Sequence, residues 1–506
     1  MAELPAELAA LMSPVAYPHA VSEIRVIETP LSWVLLTGQY AYKIKRPVSY
    51  PFVDLRSAER RAFYCAEELR LNRRFAPELY LEVCEVREER GMARIGGSGR
   101  LLEHCVKMQQ FARDQELDLV LEAGQVEPRV LEEFGRDLAD IHATLPVAGQ
   151  AQPWGTAQGV QRVVRENLDQ YEELAARCGL GTLPSLRAEL EARLTQLATV
   201  IDARRAQGRV RECHGDLHAR NLAMYGSRLV AFDCMEFEAA FRWIDVAEDV
   251  ALLVADLNAR GHELHAHAFL AGYLTRSGDF GICRVLELYR AHRALTRAKV
   301  TALESGRSHH DAQIREARLA LAHEAPTLIV IAGLSGSGKT WLARGLARDL
   351  GAVHLRSDIE RKRLAGLGER QDSRSATGAG LYSTNTTDLV YRHLASCAED
   401  VLAGGYTAIV DATCLLRSQR ELFRDLARRF GVRLQVVVCD APVALLRKRI
   451  EERQHAGADA SEADLAVLDW QLANRELIEP SESLDVVKVF AGGPEPVSSA
   501  LRTLQP

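Results

Sequence analysis

The sequence predicts two domains, an N-terminal α+β unit and a C-terminal α/β unit built on a parallel sheet. Three observations carry this expectation. At 506 residues the chain exceeds what one ordinary core supports. Short apolar runs separated by turns give way to long helical patterns within the first 300 or so residues. Beyond Pro326, apolar strands alternate with helices, as in a parallel sheet. The expected division is 1–303 for the first domain, 304–325 for a linker and 326–506 for the second domain.

Taken in order, 23–110 reads as strand-rich, with runs such as Trp33-Val-Leu-Leu36 and Ala41-Tyr-Lys-Ile-Lys45 between turn residues. Helices are expected over Ser57–Phe75 and Pro128–Ala143. From 157 to 206, Val160, Val163, Val164, Leu168, Tyr171 and Leu174 recur at helical spacing. Strand–loop–strand structure should surround His214 to Asp233, and helices should fill Trp243 to Leu303. Glu304-Ser-Gly-Arg-Ser-His-His-Asp311 breaks the pattern, a short charged helix follows, and Pro326 introduces a new strand. The second domain then reads strand 327–332, helix 339–350, strand 352–356, helices, strand 406–410, helix 417–430, strand 433–439 and helix 442–454.

Composition excludes several classes. Hydrophobic residues make up 47% and charged residues 26%, a globular balance. The net charge of −6 gives no global footprint for nucleic acid, and only a local basic groove stays open. No apolar run reaches the roughly 18 residues of a membrane span. The start, Met1-Ala-Glu-Leu-Pro-Ala-Glu-Leu8, lacks the basic and apolar segments of a signal peptide. Ten cysteines occur without a CxxC pair, which fits buried reduced thiols in the cytoplasm better than zinc or disulfides.

Two stretches carry chemistry. The first is Gly333-Leu-Ser-Gly-Ser-Gly338-Lys339-Thr340, which follows the apolar run Thr327–Ala332 and opens a helix. That context makes GxxxxGK[ST] a P-loop. Backbone N–H groups of Gly333, Ser335, Gly336, Ser337 and Gly338 would surround phosphate oxygens at a helix N-terminus. Lys339 would reach the β- and γ-phosphates of ATP, and Thr340 would ligate Mg²⁺. Ala408-Ile-Val-Asp411 is an apolar strand ending in an acid, a Walker-B-like metal ligand. Asp358 and Arg361 follow the second strand, where an open parallel sheet faces its ligand crevice. There Asp358 can take a proton from an acceptor hydroxyl, and Arg361 can hold an anionic group. The plain alternative is a helix N-cap Asp beside a surface Arg.

The second stretch is His214-Gly-Asp216-Leu-His-Ala-Arg-Asn221, followed by Leu229-Val-Ala-Phe-Asp233. A loop Asp216 can orient and deprotonate a hydroxyl, while Asn221 and Asp233 can hold one Mg²⁺. The gap between Asn221 and Asp233 suits a hairpin. Glu236, Glu238, Asp245 and Glu248 could line a cationic-substrate site or cap helices, and the capping reading is preferred.

These residues resemble two known groups. The P-loop, the DxxR of Asp358 and Arg361, Asp411-Ala-Thr413, and arginines on a late helix resemble the polynucleotide kinase, gluconate kinase and zeta-toxin group over about 326–480. The resemblance implies that Asp358 activates the acceptor hydroxyl, Arg361 binds a substrate phosphate, and Arg449 and Arg453 clamp the transferring phosphate, with Arg447 as an alternative register. The HxDxxxxN stretch, Leu138-Ala-Asp-Ile-His142 and Asp245-Val-Ala-Glu-Asp249 resemble the aminoglycoside phosphotransferase and choline kinase family over about 25–300. This implies a protein-kinase-like fold, Asp216 as base, and Asn221 and Asp233 as metal ligands. It also implies a strand lysine for the ATP phosphates, Lys43 ahead of Lys45, paired with Glu68 ahead of Glu67. His142 and His214 would fix the loop. The whole arrangement resembles bacterial fusions of an aminoglycoside phosphotransferase-like domain with a P-loop domain.

The expected function is a cytoplasmic bifunctional kinase using ATP and Mg²⁺. Its acceptors would be a small-molecule hydroxyl at the first site and a small molecule or nucleic-acid 5′-hydroxyl at the second. The competing expectation is a nucleotide-controlled ATPase switch that engages a partner. Two acceptor bases, Asp216 and Asp358, favour transfer, because a switch needs neither. The sequence identifies neither acceptor and gives no oligomeric state.

Overall fold

The computed structural model describes residues 4–50, 53–304, 307–322, 325–369, 371, 383–456, 461–490 and 496–504. The first unit opens with β1 (Arg25–Glu28), β2 (Ser32–Leu36) and β3 (Tyr40–Lys45), followed by a short hairpin of β4 (Ser49–Tyr50) and β5 (Val53–Asp54). After α1 (Ala58–Asn72) come β6 (Tyr80–Glu89), β7 (Met92–Ile95) and β8 (Leu101–Gln109), giving an antiparallel sheet in the order β1-β2-β3-β8-β6-β7. Ser57 caps α1 by accepting from the Arg60 amide at 3.3 Å. The buried side of α1 carries Arg61, Tyr64, Cys65, Glu68, Leu71 and Asn72 at helical spacing, so one carboxylate lies in the stripe that faces the sheet.

A helical lobe follows: α2 (Leu117–Glu122), α3 (Pro128–Thr144), α4 (Ala157–Cys178) and α5 (Pro184–Ala206). Next come β9 (Val210–Glu212), the hairpin of β10 (Leu222–Tyr225) and β11 (Arg228–Ala231), α6 (Ala239–Arg242) and β12 (Trp243–Asp245). α7 (Val246–Ala259), α8 (Glu263–Ser277), α9 (Cys283–Glu304) and α10 (Arg307–Leu321) complete the lobe. Every residue of α7 from Val246 to Leu257 is buried, so it is the lobe's central post.

The expected linker 304–325 needs correction. Within it α10 packs against α9 and α7, and His310, Gln313, Glu316 and Ala317 are buried. One charge is paired inside, where Arg290 of α9 donates to Glu316 at 2.6 Å, while Asp311, Arg315 and Arg318 stay exposed. The segment is therefore a packed amphipathic helix and not a loose tether. Residues 305–306 and 323–324 of that stretch lie outside the described set.

The second unit holds β13 (Thr327–Ala332), α11 (Lys339–Leu350), β14 (Val353–Arg356), α12 (Ser357–Leu364), α13 (Thr384–Ala403), β15 (Ala408–Asp411), α14 (Arg417–Phe430), β16 (Arg433–Asp440) and α15 (Val443–Ala456). Three elements the sequence reading did not assign follow: α16 (Leu465–Asn474), β17 (Asp485–Phe490) and α17 (Pro496–Leu504). The sheet order is β14-β15-β13-β16-β17, with every neighbouring pair parallel. Alternate β13 residues serve opposite faces. Ile329 and Ile331 pack with Leu342 and Leu346 of α11, while Leu328 and Val330 belong to the cluster of Leu394 and Phe423 from α13 and α14.

The two units touch through α8, α9, α12 and α13. Arg284 reaches Asp400 at 3.4 Å, Arg136 reaches Glu369 at 2.7 Å, and Arg363 donates to the Thr275 carbonyl. All ten cysteines are free thiols. Among the described residues no helix is long and apolar enough to cross a membrane.

Candidate active sites

In the N-terminal unit, one buried carboxylate fixes the loop after β9. Asp249, on α7, accepts the amides of His214 at 2.8 Å and Gly215 at 2.9 Å. His142 of α3 joins it at 3.3 Å and meets the Tyr273 hydroxyl at 3.0 Å, so His142 and His214 both act in loop geometry. Gly215 has φ +84°, and a Cβ there would lie 2.7 Å from the Phe241 carbonyl, so no other residue fits.

Asp216 is thereby presented at the domain's main cleft. The Asn221 side-chain amide donates to its carbonyl at 3.0 Å and to Oδ2 at 3.3 Å, and His218 Nε2 lies 3.4 Å from Oδ2. Burial pushes the Asp216 carboxyl up, but the charge and hydrogen bond of His218, helped by Arg297, outweigh it and hold the group below the usual range. Asp216 is therefore ionised at neutral pH, as a base must be.

Asp233 follows the β10–β11 hairpin in the left-handed region, φ +62°, a conformation Asp tolerates better than most residues. Its amide donates to the Tyr80 hydroxyl at 3.1 Å, and the next amide, Cys234, donates to Asn72 Oδ1 at 2.9 Å. Lys43 rests on the Asp233 carboxylate at 2.5 Å and on Glu68 at 2.7 Å. Burial would lower the Lys43 ammonium's pKa, yet Asp233 and Glu68 override it and hold it well above the ordinary value. Glu68 also binds Lys45 at 2.5 Å, and Lys45 reaches Glu236. Both lysines thus share Glu68, but only Lys43 touches Asp233. Glu67 instead pairs with Arg70 at 2.8 Å. A cavity of about 1790 Å³ connects Lys43, Asp216, Asn221 and Asp233.

All four additional acids line this cavity, and two of them are caps. Glu238 accepts from the Ala240 amide at 3.1 Å, and Asp245 from the Ala247 amide at 2.9 Å. The other two form ion pairs, Glu236 with Lys45 and Glu248 with Arg293 at 3.0 Å.

In the C-terminal unit, β13 ends in the loop Gly333–Gly338. Gly336 has φ +80°, and a Cβ there would press to 2.8 Å from the Leu446 carbonyl of α15. Thr340 donates to Asp411 Oδ2 at 2.7 Å, and His354 lies 3.3 Å from the same oxygen. Burial raises Asp411, but the His354 contact and the Lys339 and Thr340 groups bring it down to about 2. Lys339 turns back to donate to the Leu334 carbonyl at 2.9 Å. Gln471 of α16 clasps the loop: it accepts from the Ser335 amide at 2.8 Å and donates to Ser335 Oγ at 2.9 Å.

Asp358 is the second residue of α12, and Arg356 is the N-cap, so the capping alternative does not hold. Arg361 is buried, not a surface group, and donates to Thr387 Oγ1 at 3.4 Å. On α15, Arg449 reaches the Gly336 carbonyl at 3.3 Å, Arg453 reaches the Ala463 carbonyl at 2.7 Å, and Arg447 is taken by Asp469. Of these three arginines, Arg449 is the one that touches the P-loop. Sequence reasoning missed Gln471, His354, Tyr80 and Asn72. Each acts from an element distant in sequence, and none lies in a motif.

Comparison with known proteins fits this geometry. Residues 51–288 match the model of the phosphotransferase enzyme family. That match spans most of the N-terminal unit. Residues 328–478 match an AAA-domain model, the P-loop half. The chain is an ATP-dependent kinase that joins a phosphotransferase-family domain to a P-loop domain. An uncharacterized protein of Mycobacterium tuberculosis strain H37Rv is 29% identical over 472 residues, covering 90% of this chain and 93% of the relative. Both halves therefore occur together in that relative. Among solved structures, a choline/ethanolamine kinase family protein from Mesorhizobium loti is 13% identical, with 59% of this chain and 88% of that one covered at TM-score 0.36. A gluconokinase from Sinorhizobium meliloti 1021 is 23% identical, with 36% and 93% covered at TM-score 0.26.

Proposed function

We propose that the kinase is bifunctional, with each unit moving the γ-phosphoryl group of ATP to a hydroxyl acceptor. The observation that carries this reading is duplication: each unit separately gathers a candidate base, metal-ligating oxygens and phosphate-binding cations. At the first site Asp216 takes the acceptor's proton as the acceptor oxygen bonds to the γ-phosphorus and the bond to ADP breaks. Lys43, oriented by Glu68, holds the ATP phosphates. Asn221 and Asp233 hold Mg²⁺; no hydrogen bond is made to Asn221 Oδ1 among the described residues, and the Asp233 carboxylate already attracts a cation in Lys43. Mg²⁺ there would neutralise phosphate charge.

At the second site the backbone of Gly333, Ser335, Gly336, Ser337 and Gly338 cradles phosphates, Lys339 swings from Leu334 onto them, and Thr340 and Asp411 hold Mg²⁺. Asp358 serves as base, Arg361 binds an anionic part of the acceptor, and Arg449 and Arg453 close on the transferring group. The first acceptor is a small molecule that enters the cavity around Asp216. The second is a small molecule or a nucleic-acid 5′-hydroxyl. We divide the units between Leu321 and Thr327, and the free thiols suit a cytoplasmic setting.

The test is transfer of labelled γ-phosphate into a pool of metabolites and 5′-hydroxyl oligonucleotides, with Asp216→Ala and Lys339→Ala beside wild type. One labelled product should vanish in each variant. Full transfer in both variants would refute the reading.

A further inference from the structure

Between α4 and α9, the wall of the N-terminal cavity carries two cations, Arg297 and Lys299, that no carboxylate meets at ion-pair distance among the described residues. Buried arginines elsewhere in this unit are paired. Arg204 holds Asp245 at 2.7 Å and Asp279 at 3.0 Å, and Arg242 holds Glu212 at 3.1 Å. On the cavity wall itself, Arg293 is met by Glu248 at 3.0 Å. Arg297, one turn further along α9, is different. It lines the cavity at 8% exposure, makes no side-chain hydrogen bond or ion pair among the described residues, and leaves Nε as a buried donor without an acceptor.

A buried guanidinium without a partner is costly, so its retention asks for an anion from outside the chain. Lys299 lies on the same wall and donates to neutral Gln170 at 2.6 Å, which adds a second cation without a carboxylate. Burial drives the pKa of neighbouring His292 down to about 3, so that ring is neutral and offers no compensating or competing charge at pH 7. Arg297 lines the same cavity as Asp216, and its charge acts at longer range on Asp216 and on buried Asp256.

We infer that the acceptor at the N-terminal site is a hydroxyl compound bearing a compact anionic group, a phosphate or carboxylate, and that Arg297 binds that group. The inference rests on the reading of Asp216 as the acceptor's base. A planar guanidinium with unmade donors matches such oxyanions in a two-point fork. It also disfavours cationic acceptors, which would have to approach an unpaired arginine in a low-dielectric wall.

The experiment uses full-length protein carrying Lys339→Ala, which silences the P-loop site, with and without Arg297→Gln. Labelled phosphate transfer is measured to glycerol phosphate, glycerate, glycerol and choline. Label should enter the phosphate- or carboxylate-bearing compounds, and which of the two reacts separates the sources. Arg297→Gln should raise KM for that compound by about ten- to a hundred-fold, with AMPPNP affinity and Tm unchanged. Transfer to glycerol or choline alone, insensitive to Arg297→Gln, would overturn the inference. If none of the four is phosphorylated, the thermal shift produced by inorganic phosphate on the Mg·AMPPNP-loaded protein decides. A shift lost in Arg297→Gln supports the inference, and an equal shift in both proteins overturns it. Transfer that survives Asp216→Asn would instead defeat the underlying reading of the base.

Discussion

Around Asp216 the candidate groups are already tied to one another and to the scaffold, whereas around Lys339 several are still tied to the wrong partner or to none. In the N-terminal unit Asp249 fixes the loop, Asn221 binds Asp216, Tyr80 and Asn72 fix the turn at Asp233, and Glu68 aligns Lys43. In the C-terminal unit the metal-side pair Thr340 and Asp411 is joined, but Lys339 is spent on a loop carbonyl. The Asp358 side chain makes no hydrogen bond or ion pair among the described residues. The difference teaches that a site on a loop buried between two lobes is organised by its own polar network. A P-loop site past the end of a central strand instead relies on its ligand to draw the lysine and the acceptor groups together.

The sharpest way to break this comparison is to remove one base. Asp216→Ala should lower transfer at the first site by about 10²–10⁴-fold while leaving the second site's product unchanged. Loss of both products would mean the sites are not separate. The lid arginines sharpen the second site. Arg449→Ala should cost on the order of 10³-fold there, while Arg447→Ala, whose partner Asp469 is exposed, should cost less than about three-fold. The reverse ranking, read in kcat, would show that α15 rotates on nucleotide binding.

The preassembled network makes its own forecast. Asp249→Asn touches no substrate, yet it should lower first-site kcat by about ten- to a hundred-fold, with KM for ATP little changed. A uniform loss of melting temperature without a kcat effect would contradict a positioning role.

The smallest expected effect concerns stability. Glu212 is buried among Arg70, Arg74 and Arg242, and although burial raises its carboxyl, those arginines bring it down to about 2. A depressed carboxylate contributes stability above its unfolded value near 4.3, and loses it as pH falls through the folded value. Glu212→Gln should therefore lower stability by about 2 kcal/mol at pH 7, with the gap closing between about pH 4 and pH 2. Urea melts at pH 7 and pH 3 would check the sign, and an equal gap at both would refute it.

Much of the fold was legible because its signals are local. The P-loop lies between β13 and α11, and HxDxxxxN precedes a hairpin whose exit bears Asp233, so spacing alone assembled both motifs. Glu68 could be ranked above Glu67 only through resemblance; the structure separates them because adjacent helix positions point in different directions, Glu68 toward the sheet and Glu67 toward Arg70. Where contacts are long-range, the sequence was silent. Gln471 meets Ser335 from α16, and α10 looked like a linker because ion pairing with α9 cannot be told from solvation by composition. No motif includes Arg297, and its unmet Nε donor is a property of the folded wall.

The most direct test of the central claim, two nucleotide-using sites in one chain, is the stoichiometry of Mg·AMPPNP binding to the full-length protein by calorimetry. The account predicts two nucleotides per chain in the wild type, one in Lys339→Ala, and one in a Lys43→Ala chain that keeps its melting temperature. A single nucleotide in the wild type, abolished by either substitution alone, would contradict it.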